Sequence, residues 1–515
     1  MQKTDVIIIG SGLGGLAAGA ILARKGLEVQ VFERHTLPGG YATSFEREGY
    51  RFDVSLHGIG GLNEGGTADG ALKACGVEGR IKPIRKSCAY SIEWKGESVD
   101  VPDKAAEYAE LLRTMFPNER GPIDELFRRI EQFEKGFAEF NRIPSAFLPK
   151  LAAFAALPLK AGTFFKWTTM TTAQVIRSCG LSDEFIEFFA ALWPYYGLPP
   201  EELSALYFFI PWLGYHKEGT FYIEGGGQAL SDALTAVIEE NGGRVHLRSG
   251  VTEILRENGT CTGVRLKKGG VWTAERVISN ASPQATYELL PGSEAAASAR
   301  VALQKQQIGI SLSQLYIGLD CEPAELGIAE EELLMHSGLP ASEDYRLALA
   351  GEYERIGLNL TNYTEMDPSQ NKAGQGVLTL TLVDHIRNWP EDRSDYRKRK
   401  AEVTAILLDR LERHYPGLGA HVAVAELGTP RTMRRYTGNP EGAVYGFAQT
   451  VSQSGIKRLK HTSALRNLTF AGAWTQPGGG YLGALMSGYQ AAEAASRGLT
   501  VKPPAEKRRT SASAL

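Results

Sequence analysis

Residues 5–34 read DVIIIGSGLGGLAAGAILARKGLEVQVFER, and this stretch decides the fold. Its opening run, Val6–Ile9, is wholly apolar, which is typical of a parallel strand buried on both faces of a sheet. Residues 10–15 supply the pattern G-x-G-x-x-G at the start of a helical run of small and apolar residues. Val29–Phe32 predicts a second buried strand. The stretch therefore predicts a strand–turn–helix–strand unit that binds a dinucleotide.

Each part of this unit has a task in holding such a ligand. Gly10 permits the sharp turn, Gly12 lets the backbone approach a pyrophosphate, and Gly15 lets the helix pack closely on the strand. The free N–H groups at the start of the helix attract the phosphates, and an acid at the end of the second strand accepts hydrogen bonds from ribose hydroxyls. The expected contacts are Gly10, Gly12, Leu13, Gly14, Gly15 and Glu33.

A second pair of glycines indicates which dinucleotide is bound. Gly39 and Gly40 follow Glu33 closely, and side chains on such a returning segment would block its approach to the diphosphate. The arrangement looks like the glutathione-reductase-type fold, which binds FAD; an ordinary surface turn is the alternative. Arg34 is expected beside the cofactor, although as a partner of a 2′-phosphate it would instead indicate NADP.

Composition argues against several other classes of protein. Lys and Arg total 56 against 59 Asp and Glu, and a net charge of −3 argues against a nucleic-acid-binding protein. The five cysteines contain no C-x-x-C pair, so we expect no disulfide framework, no metal site and a reducing, cytoplasmic location. We also expect no signal peptide and no membrane-spanning helix.

The middle of the chain contains a second strand–glycine–helix block. Phe221–Gly227 precedes a helix predicted over Gln228–Glu240. In this type of fold the strand near Val251 usually contacts the adenine through its backbone; a plain αβ unit without ligand contact is the alternative. The strands predicted after the helix are Val245–Leu247, Val251–Ile254, Thr262–Leu266, Val271–Thr273 and Arg276–Asn280.

A third block lies near the C-terminus. It consists of a strand over Leu468–Gly472, a loop rich in glycine and proline, and a helix predicted over Leu482–Ala495. Such a unit can aim a helix N-terminus at the flavin pyrimidine, where negative charge gathers on reduction; one more βα unit of the sheet is the alternative. The expected contacts are Gly472, Ala473, Gly483 and Ala484.

The spacing of the three blocks predicts an α/β protein whose glutathione-reductase-type, Rossmann-like FAD-binding domain is discontinuous. The rest of the chain is predicted to form an α+β substrate-binding or cap domain, followed by a disordered basic tail. The predicted FAD-binding domain comprises residues 1–80, 221–290 and 440–500, the cap domain 81–220 and 291–439, and the tail 501–515.

Several later patches carry a resemblance to a known family. They are Gly49–Val54 with His57, Phe221–Gly227, Asp367–Ser369 with Gly374, Thr429–Gly446, and Pro477–Gly488. With the N-terminal motif they resemble the phytoene desaturase, carotenoid isomerase and retinol saturase family of FAD-dependent oxidoreductases, in patches over nearly the whole chain. The resemblance implies redox chemistry or isomerisation at carbon–carbon double bonds of a long hydrophobic carotenoid- or retinoid-like polyene. The histidine at position 57 is more typical of the saturase branch, whereas the sequence of the loop 473–480 is more similar to that of desaturases and isomerases.

Two stretches are candidates for the substrate side. Ser145–Trp167 is rich in Ala, Leu and Phe, with three lysines; we expect it either to lie peripherally on a membrane surface or to form an internal cap. Phe188–Tyr222 is dense in aromatic residues, which either line a long apolar cavity for an isoprenoid or form ordinary core.

The chemistry requires one group to handle a proton beside the flavin. The candidates are His57, Tyr481 and, more weakly, Glu224, each with a purely structural role as its alternative. Two other functions remain open on this fold: a flavin amine oxidase with an aromatic cage, and a non-enzymatic escort of prenylated proteins or lipids. The three intact glycines of residues 10–15 argue against the escort.

Overall fold

The computed structural model describes residues 2–142 and 161–499. The predicted tail 501–515 lies outside the described residues, as does the predicted surface segment Ser145–Trp167 up to residue 160. The helices, labelled α1 to α17 in chain order, span Leu13–Arg24, Thr67–Cys75, Ala105–Met115, Arg120–Asn141, Gly162–Trp167, Thr172–Arg177, Asp183–Phe189, Trp193–Tyr196, Ala205–Lys217, Gly226–Glu240, Pro283–Glu288, Glu294–Leu303, Ala341–Ala350, Tyr363–Met366, Arg393–His414, Pro430–Thr437 and Tyr481–Ser496.

Strands β1 to β19 span Gln2–Ile9, Val29–Phe32, Ser44–Arg47, Tyr50–Asp53, Ile59–Gly60, Pro83–Arg85, Tyr90–Trp94, Glu97–Val101, Thr220–Ile223, Arg244–His246, Val251–Glu257, Thr260–Leu266, Val271–Ser279, Ser311–Leu319, Glu332–Met335, Leu358–Asn362, Gly376–Asp384, Val422–Gly428 and Leu468–Phe470. Short 3-10 turns occur at Pro117–Glu119, Pro323–Leu326, Pro368–Gln370, Ile386–Asn388, Leu418–His421, Pro440–Gly442 and Gly455–Lys457.

The first large sheet gathers the three glycine-rich blocks. Its strand order is β10-β2-β1-β13-β12-β11, and β19 also pairs with β13. β1 lies parallel to β2 and β13 at its centre, and Val6–Ile9 is buried there, as expected for a strand covered on both faces. α1 packs against both α10 and α17. The N-terminal, middle and C-terminal blocks are thereby parts of one layered unit.

The second large sheet is built from other parts of the chain. Its order is β18-β14-β17-β16-β15-β7-β8, with only β15 and β7 parallel among its pairs. β14 and β17 are buried along their whole lengths. α15 packs on this sheet through Val403, Leu407 and Leu411, which share one hydrophobic cluster with Leu315 and Leu380.

A small three-stranded sheet, in the order β5-β9-β6, ties the units together. It pairs residues 59–60 and 83–85 with β9, so residues 83–85, expected in the cap domain, join strands expected in the FAD-binding domain. The division of the chain into domains stays a prediction.

The element boundaries differ from the expected ones at one notable place. Val271–Thr273 and Arg276–Asn280 were expected as two strands, and this expectation is wrong, because β13 runs unbroken over Val271–Ser279. The reason is its long parallel pairing with β1, which extends from Gln2 opposite Trp272 to Ile9 opposite Ser279. The helices expected over Gln228–Glu240 and Leu482–Ala495 begin and end within two residues of α10 and α17.

Candidate functional site

One cavity of about 2590 Å³ lies at the carboxyl ends of the parallel strands of the first sheet, where this type of sheet places its ligands. Of the residues expected to hold the cofactor, only Gly15 is not on the cavity wall; it packs against the Gly10 carbonyl, as its expected role requires. Those on the wall are Gly10, Gly12, Leu13, Gly14, Glu33, Arg34, Gly39, Gly40, Val251, Gly472, Ala473, Gly483 and Ala484. We call this part of the cavity the glycine cradle.

The glycine cradle is tight because three separate loops meet in it. A Cβ atom on Gly12 would lie 2.6 Å from Nδ2 of Asn280, and one on Gly14 would lie 2.7 Å from the Cα of Gly472. Oδ1 of Asn280 is buried and has no hydrogen-bond partner among the described residues. The cradle therefore offers bare backbone and one unsatisfied amide oxygen, which suits an extended dinucleotide such as FAD.

The acid at the end of β2 is held in place by the loop it follows. One carboxylate oxygen of Glu33 accepts hydrogen bonds from the backbone N–H of Ser11 at 2.8 Å and from its hydroxyl at 2.9 Å. The other oxygen accepts one from the N–H of His35 at 2.7 Å. Arg34 donates to the carbonyl of Arg435 at 3.0 Å, so its guanidinium is anchored on α16 at the cavity wall.

The second glycine pair lies where the sequence predicts it. The N–H of Gly39 donates to the carbonyl of Ser11 at 2.8 Å, and Gly39 bridges to Gly12 in parallel. The φ angle of Gly39 is +117°, and a Cβ there would collide with the carbonyl of Ala42. Only glycine fits this segment against the phosphate-side turn.

A buried arginine, which sequence reasoning missed, holds the C-terminal loop of the cradle. Arg458 is 2% exposed, and burial lowers its pKa to about 10. Its guanidinium donates to four backbone carbonyls, those of Thr475, Phe447, Tyr445 and Ala473. An arginine in a polar stretch carries no sequence signal that it will turn inward.

Two aspartates, which lie in other segments that resemble the family, hold the turn at Gly225–Gly227. Asp53 accepts hydrogen bonds from the backbone N–H groups of Gly227, Ser55 and Leu56. Asp367 accepts one from the N–H of Gly225 at 2.8 Å. These carboxylates fix the turn before α10, and Asp53 also shapes the segment that leads to His57.

The remainder of the cavity is apolar and aromatic, and we call it the aromatic chamber. It is lined by residues of α4, α5, α8 and α9: Phe137, Phe140, Phe164, Phe165, Tyr195, Tyr196, Leu206, Tyr207, Ile210, Leu213 and Tyr215. The hydroxyl of Tyr207 donates to the carbonyl of Gly479 at 3.3 Å, so the chamber directly adjoins the cradle.

The aromatic stretch Phe188–Tyr222 divides between the two interpretations left open by the sequence. Tyr195, Tyr196, Tyr207 and Tyr215 line the cavity. The others lie in the buried core away from the cavity wall: Phe188, Phe189, Trp193, Phe208, Phe209, Trp212, Phe221 and Tyr222.

The structure separates the three candidates for proton transfer. His57 and Tyr481 both line the cavity, and the hydroxyl of Tyr481 lies 3.2 Å from that of Ser55, two residues before His57. Burial, together with the charge of Asp53, raises the pKa of Tyr481 well above its usual value. Glu224 is not on the cavity wall; it forms an ion pair with Lys82. The structure therefore does not bring Glu224 together with the other two.

Two further charged residues lie behind His57, and sequence reasoning missed both. Nδ1 of His57 is 2.8 Å from Oε1 of Glu332, and Oε2 of Glu332 is 2.7 Å from Nζ of Lys86. Burial alone would raise the pKa of Glu332, but His57 and Lys86 outweigh it and hold that pKa at about 2. The ring of Tyr195 stacks on His57 with centroids 3.7 Å apart.

Two findings bear on the expectations about metals and membranes. Asp320, Cys321 and His421 lie away from the cavity wall with potential ligand atoms within 4.8 Å of one another, a grouping that the scattered cysteines did not suggest. Among the described residues, no helix is both long and apolar enough to cross a bilayer.

Comparison with known proteins places the chain among flavoproteins. A family model described as flavin containing amine oxidoreductase matches residues 13–496. The all-trans-retinol 13,14-reductase of Macaca fascicularis is 27% identical over 86% of this chain and 77% of its own length. The chloroplastic prolycopene isomerase of Daucus carota is 26% identical over 98% of this chain and 82% of its own.

A solved structure with the same architecture supports the fold. An oxidoreductase from Methanosarcina mazei superposes with a TM-score of 0.63 at 20% identity, covering 96% of this chain and 100% of its own. The α/β flavoprotein fold expected from the sequence is confirmed, as is the resemblance to the carotenoid isomerase and retinol saturase group.

Proposed function

This chain belongs to the family of flavin containing amine oxidoreductases, and from that premise we propose that it acts on carbon–carbon double bonds of a long hydrophobic polyene held in the aromatic chamber. It is an oxidoreductase, and FAD is its cofactor. One observation carries the proposal: the glycine cradle and the aromatic chamber are parts of a single cavity. A ligand in the chamber would therefore meet the reactive end of a dinucleotide in the cradle.

The chamber suits an extended apolar ligand. Its walls are Leu, Ile, Phe and Tyr side chains on four helices, and apolar surface buried there is stabilised by about 25 cal/mol per Å². The two relatives named above act, by their names, on retinol and prolycopene, which are both conjugated isoprenoids. The cavity thus matches the chemistry that the relatives share.

The charges on the cavity wall argue against an amine as the substrate. Every acidic residue on the wall already has a partner: Glu33 with Ser11, Glu134 with Lys217, Glu218 with Thr67, Glu288 with Arg300, and Glu426 with Lys400. A cationic substrate would find no carboxylate without a hydrogen-bond or ion-pair partner among the described residues of the wall, although Glu33 and Glu218 accept from neutral groups only; a neutral polyene needs no carboxylate.

The residues of this chain have three tasks in the reaction. The aromatic chamber binds the polyene and excludes water, which would otherwise compete for reactive groups. The cradle holds FAD, which supplies the capacity to accept or donate a hydride. The Arg458 clamp fixes the loop at Tyr445–Phe447 against that at Ala473–Thr475, so the cradle and the chamber keep one relative position.

The test is turnover by the purified holoenzyme. The protein is incubated with prolycopene, all-trans-retinol and simple amines, with FAD either oxidised or chemically reduced under nitrogen, and products are separated by chromatography. A changed polyene supports the proposal. Hydrogen peroxide formed from an amine with every polyene unchanged would establish an amine oxidase, and stoichiometric lipid binding by protein that takes up no FAD would establish an escort.

A substitution in the chamber makes the test specific to this cavity. Ile210 lies on α9 at the wall, and Ile210→Trp fills part of the chamber. The steric cost of overpacking is about 1–3 kcal/mol, so we expect turnover of a long carotenoid to fall about 5- to 150-fold. The effect on the shorter retinol should be smaller. Ile210→Val is the matched control, since it removes only one carbon and does not narrow the chamber.

We also propose peripheral contact with a membrane on the cytoplasmic side, because polyenes of this length partition into lipid. Phe137 and Phe140 are half-buried on α4 and line the aromatic chamber, which offers an apolar route for a ligand. Co-sedimentation with phosphatidylcholine and phosphatidylglycerol vesicles tests the contact; protein that stays in the supernatant at low salt would refute it.

A further inference from the structure

We propose that Glu332 and Lys86 are positioning residues that hold His57 with Nε2 toward the cavity, as the group that exchanges a proton with the polyene. The inference rests on the proposed function and deepens it, because it assigns the proton step to named residues. It is carried by the arrangement of three charged or titratable side chains behind an otherwise apolar wall.

The geometry leaves His57 with one orientation. Its Nδ1 is in ion-pair contact with Oε1 of Glu332 at 2.8 Å, and neither atom has a hydrogen-bond partner among the described residues. The ring is stacked on Tyr195 with an interplanar angle of 12°, which opposes rotation of the ring out of the stacking plane. With Nδ1 committed to the carboxylate, Nε2 is the nitrogen that remains for a ligand.

Lys86 explains how a carboxylate is tolerated at this depth. The side chains of Lys86 and Glu332 are 1% and 2% exposed, and an unpaired charge so deeply buried would be very costly. Nζ of Lys86 also lies 3.1 Å from the carbonyl of Ala89 and 3.4 Å from that of His57. Lys86 thus neutralises Glu332 and anchors the backbone of His57 at the same time.

A buried ion pair is by itself weak evidence of a stabilising role, and this pair has a feature that stability does not require. Glu332 shares its two oxygens between Lys86 and His57, and only His57 reaches the cavity wall. A carboxylate this close to Nδ1 favours a proton on that nitrogen, which leaves a free lone pair on Nε2, and it stabilises the imidazolium once Nε2 is protonated. A base oriented by a third group is the arrangement used elsewhere to move protons.

The proton step balances with the hydride chemistry of the cofactor. In the saturating direction, one carbon of the double bond would take the hydride, with its electron pair, that reduced FAD held in the glycine cradle would supply. The other carbon receives a proton from Nε2 of His57, so C=C becomes CH–CH and the imidazolium becomes neutral imidazole. Desaturation is the reverse, and solvent resets the protonation of His57 after release.

The first measurement does not depend on turnover. Long-range ¹H–¹⁵N spectra of the FAD-loaded protein labelled at histidine report which ring nitrogen carries the proton, and the His57 signals are assigned by their loss in His57→Gln. We expect the proton on Nδ1 in the native protein and a shift of the population toward Nε2–H in Glu332→Gln. A native His57 with its proton on Nε2 alone would overturn the proposal.

The second measurement is kinetic. Removal of a general acid or base lowers turnover about 10²- to 10⁴-fold, so we expect that loss in kcat for His57→Gln and a smaller loss, about 10- to 100-fold, for Glu332→Gln, with KM for the polyene within about twofold. Turnover by His57→Gln within twofold of the native rate would overturn the proposal while the proposed function stands. Absence of any polyene turnover in native protein would instead overturn the proposed function.

Two variants keep the result interpretable. Glu332→Gln leaves Lys86 buried and unpaired, and if that protein does not fold, the double variant Lys86→Met with Glu332→Gln removes both charges and is expected to show the same tautomer shift and the same loss in kcat. Asp344→Asn is the matched control: Asp344 is a buried carboxylate away from the cavity wall that accepts from the N–H of Gly357, and its loss should leave the His57 spectrum and kcat unchanged.

Discussion

Replacing Gly14 with alanine should weaken FAD binding with little loss of fold. The new Cβ would lie 2.7 Å from both N and Cα of Gly472, where ordinary contacts begin at 3.4 Å, so the two loops must part by about 0.7 Å. Overpacking of this kind costs about 1–3 kcal/mol. We expect the two loops to relax apart when no cofactor has to be held between them, and alanine in the first turn of α1 regains at most about 1 kcal/mol of helix propensity, so the free energy of unfolding should fall by less than about 2 to 3 kcal/mol.

Binding has to close the same gap, because Gly14 and Gly472 are opposite walls of the cradle. The strain therefore weakens binding, and we expect the Kd for FAD to rise about 5- to 150-fold. The assay is titration of apoprotein with FAD, followed by quenching of flavin fluorescence. Gly70→Ala is the matched control, since Gly70 lies in α2 and a Cβ there meets nothing within 4 Å. A Gly14→Ala protein that binds FAD within twofold of the native Kd would refute the reasoning.

Two further predictions concern buried side chains that can carry a charge. Arg458→Met leaves four carbonyls without their donor, so urea titration should show a free energy of unfolding lower by about 3–5 kcal/mol. The control is the exposed Arg466→Met, which should lower it by about 0.5 kcal/mol or less. Equal losses in the two variants would contradict the structural role of Arg458. Burial lowers the pKa of His216 to about 4, so its neutral form stabilises the fold above about pH 6.5, and up to about 3 kcal/mol is lost as pH falls to 4. His216→Gln should flatten that loss in denaturant titrations at successive pH values, and an unchanged slope would contradict it.

The cofactor side of this protein was readable from local patterns. A G-x-G-x-x-G turn between two apolar runs, an acid after the second run and a following glycine pair each predict a backbone conformation or a contact within a short stretch. The structure places Gly10, Gly12, Gly39, Gly40 and Glu33 around one cavity, and Gly15 packs against the Gly10 carbonyl. Local prediction is possible here because the requirement for glycine is set by φ angles and close backbone approach, which act over a few residues.

The sequence pattern does not distinguish aromatic side chains that line the cavity from those that lie in the core. Tyr195 and Phe188 come from the same aromatic run, yet one lines the cavity and the other is core. Periodicity reports only that a residue is apolar, and both environments are apolar.

What the amino-acid sequence determined by itself is the nucleotide-binding unit and its flavin-linked family, since each signal there is local. Only the tertiary structure decided which charged groups stand behind His57. Glu332 is the third of three consecutive glutamates, and nothing in that run distinguishes it until β15 enters the second sheet and carries it inward to Lys86, which lies 246 residues away in the chain. Burial of a charge depends on a partner supplied from elsewhere in the fold, and that pairing exists only once the chain has folded.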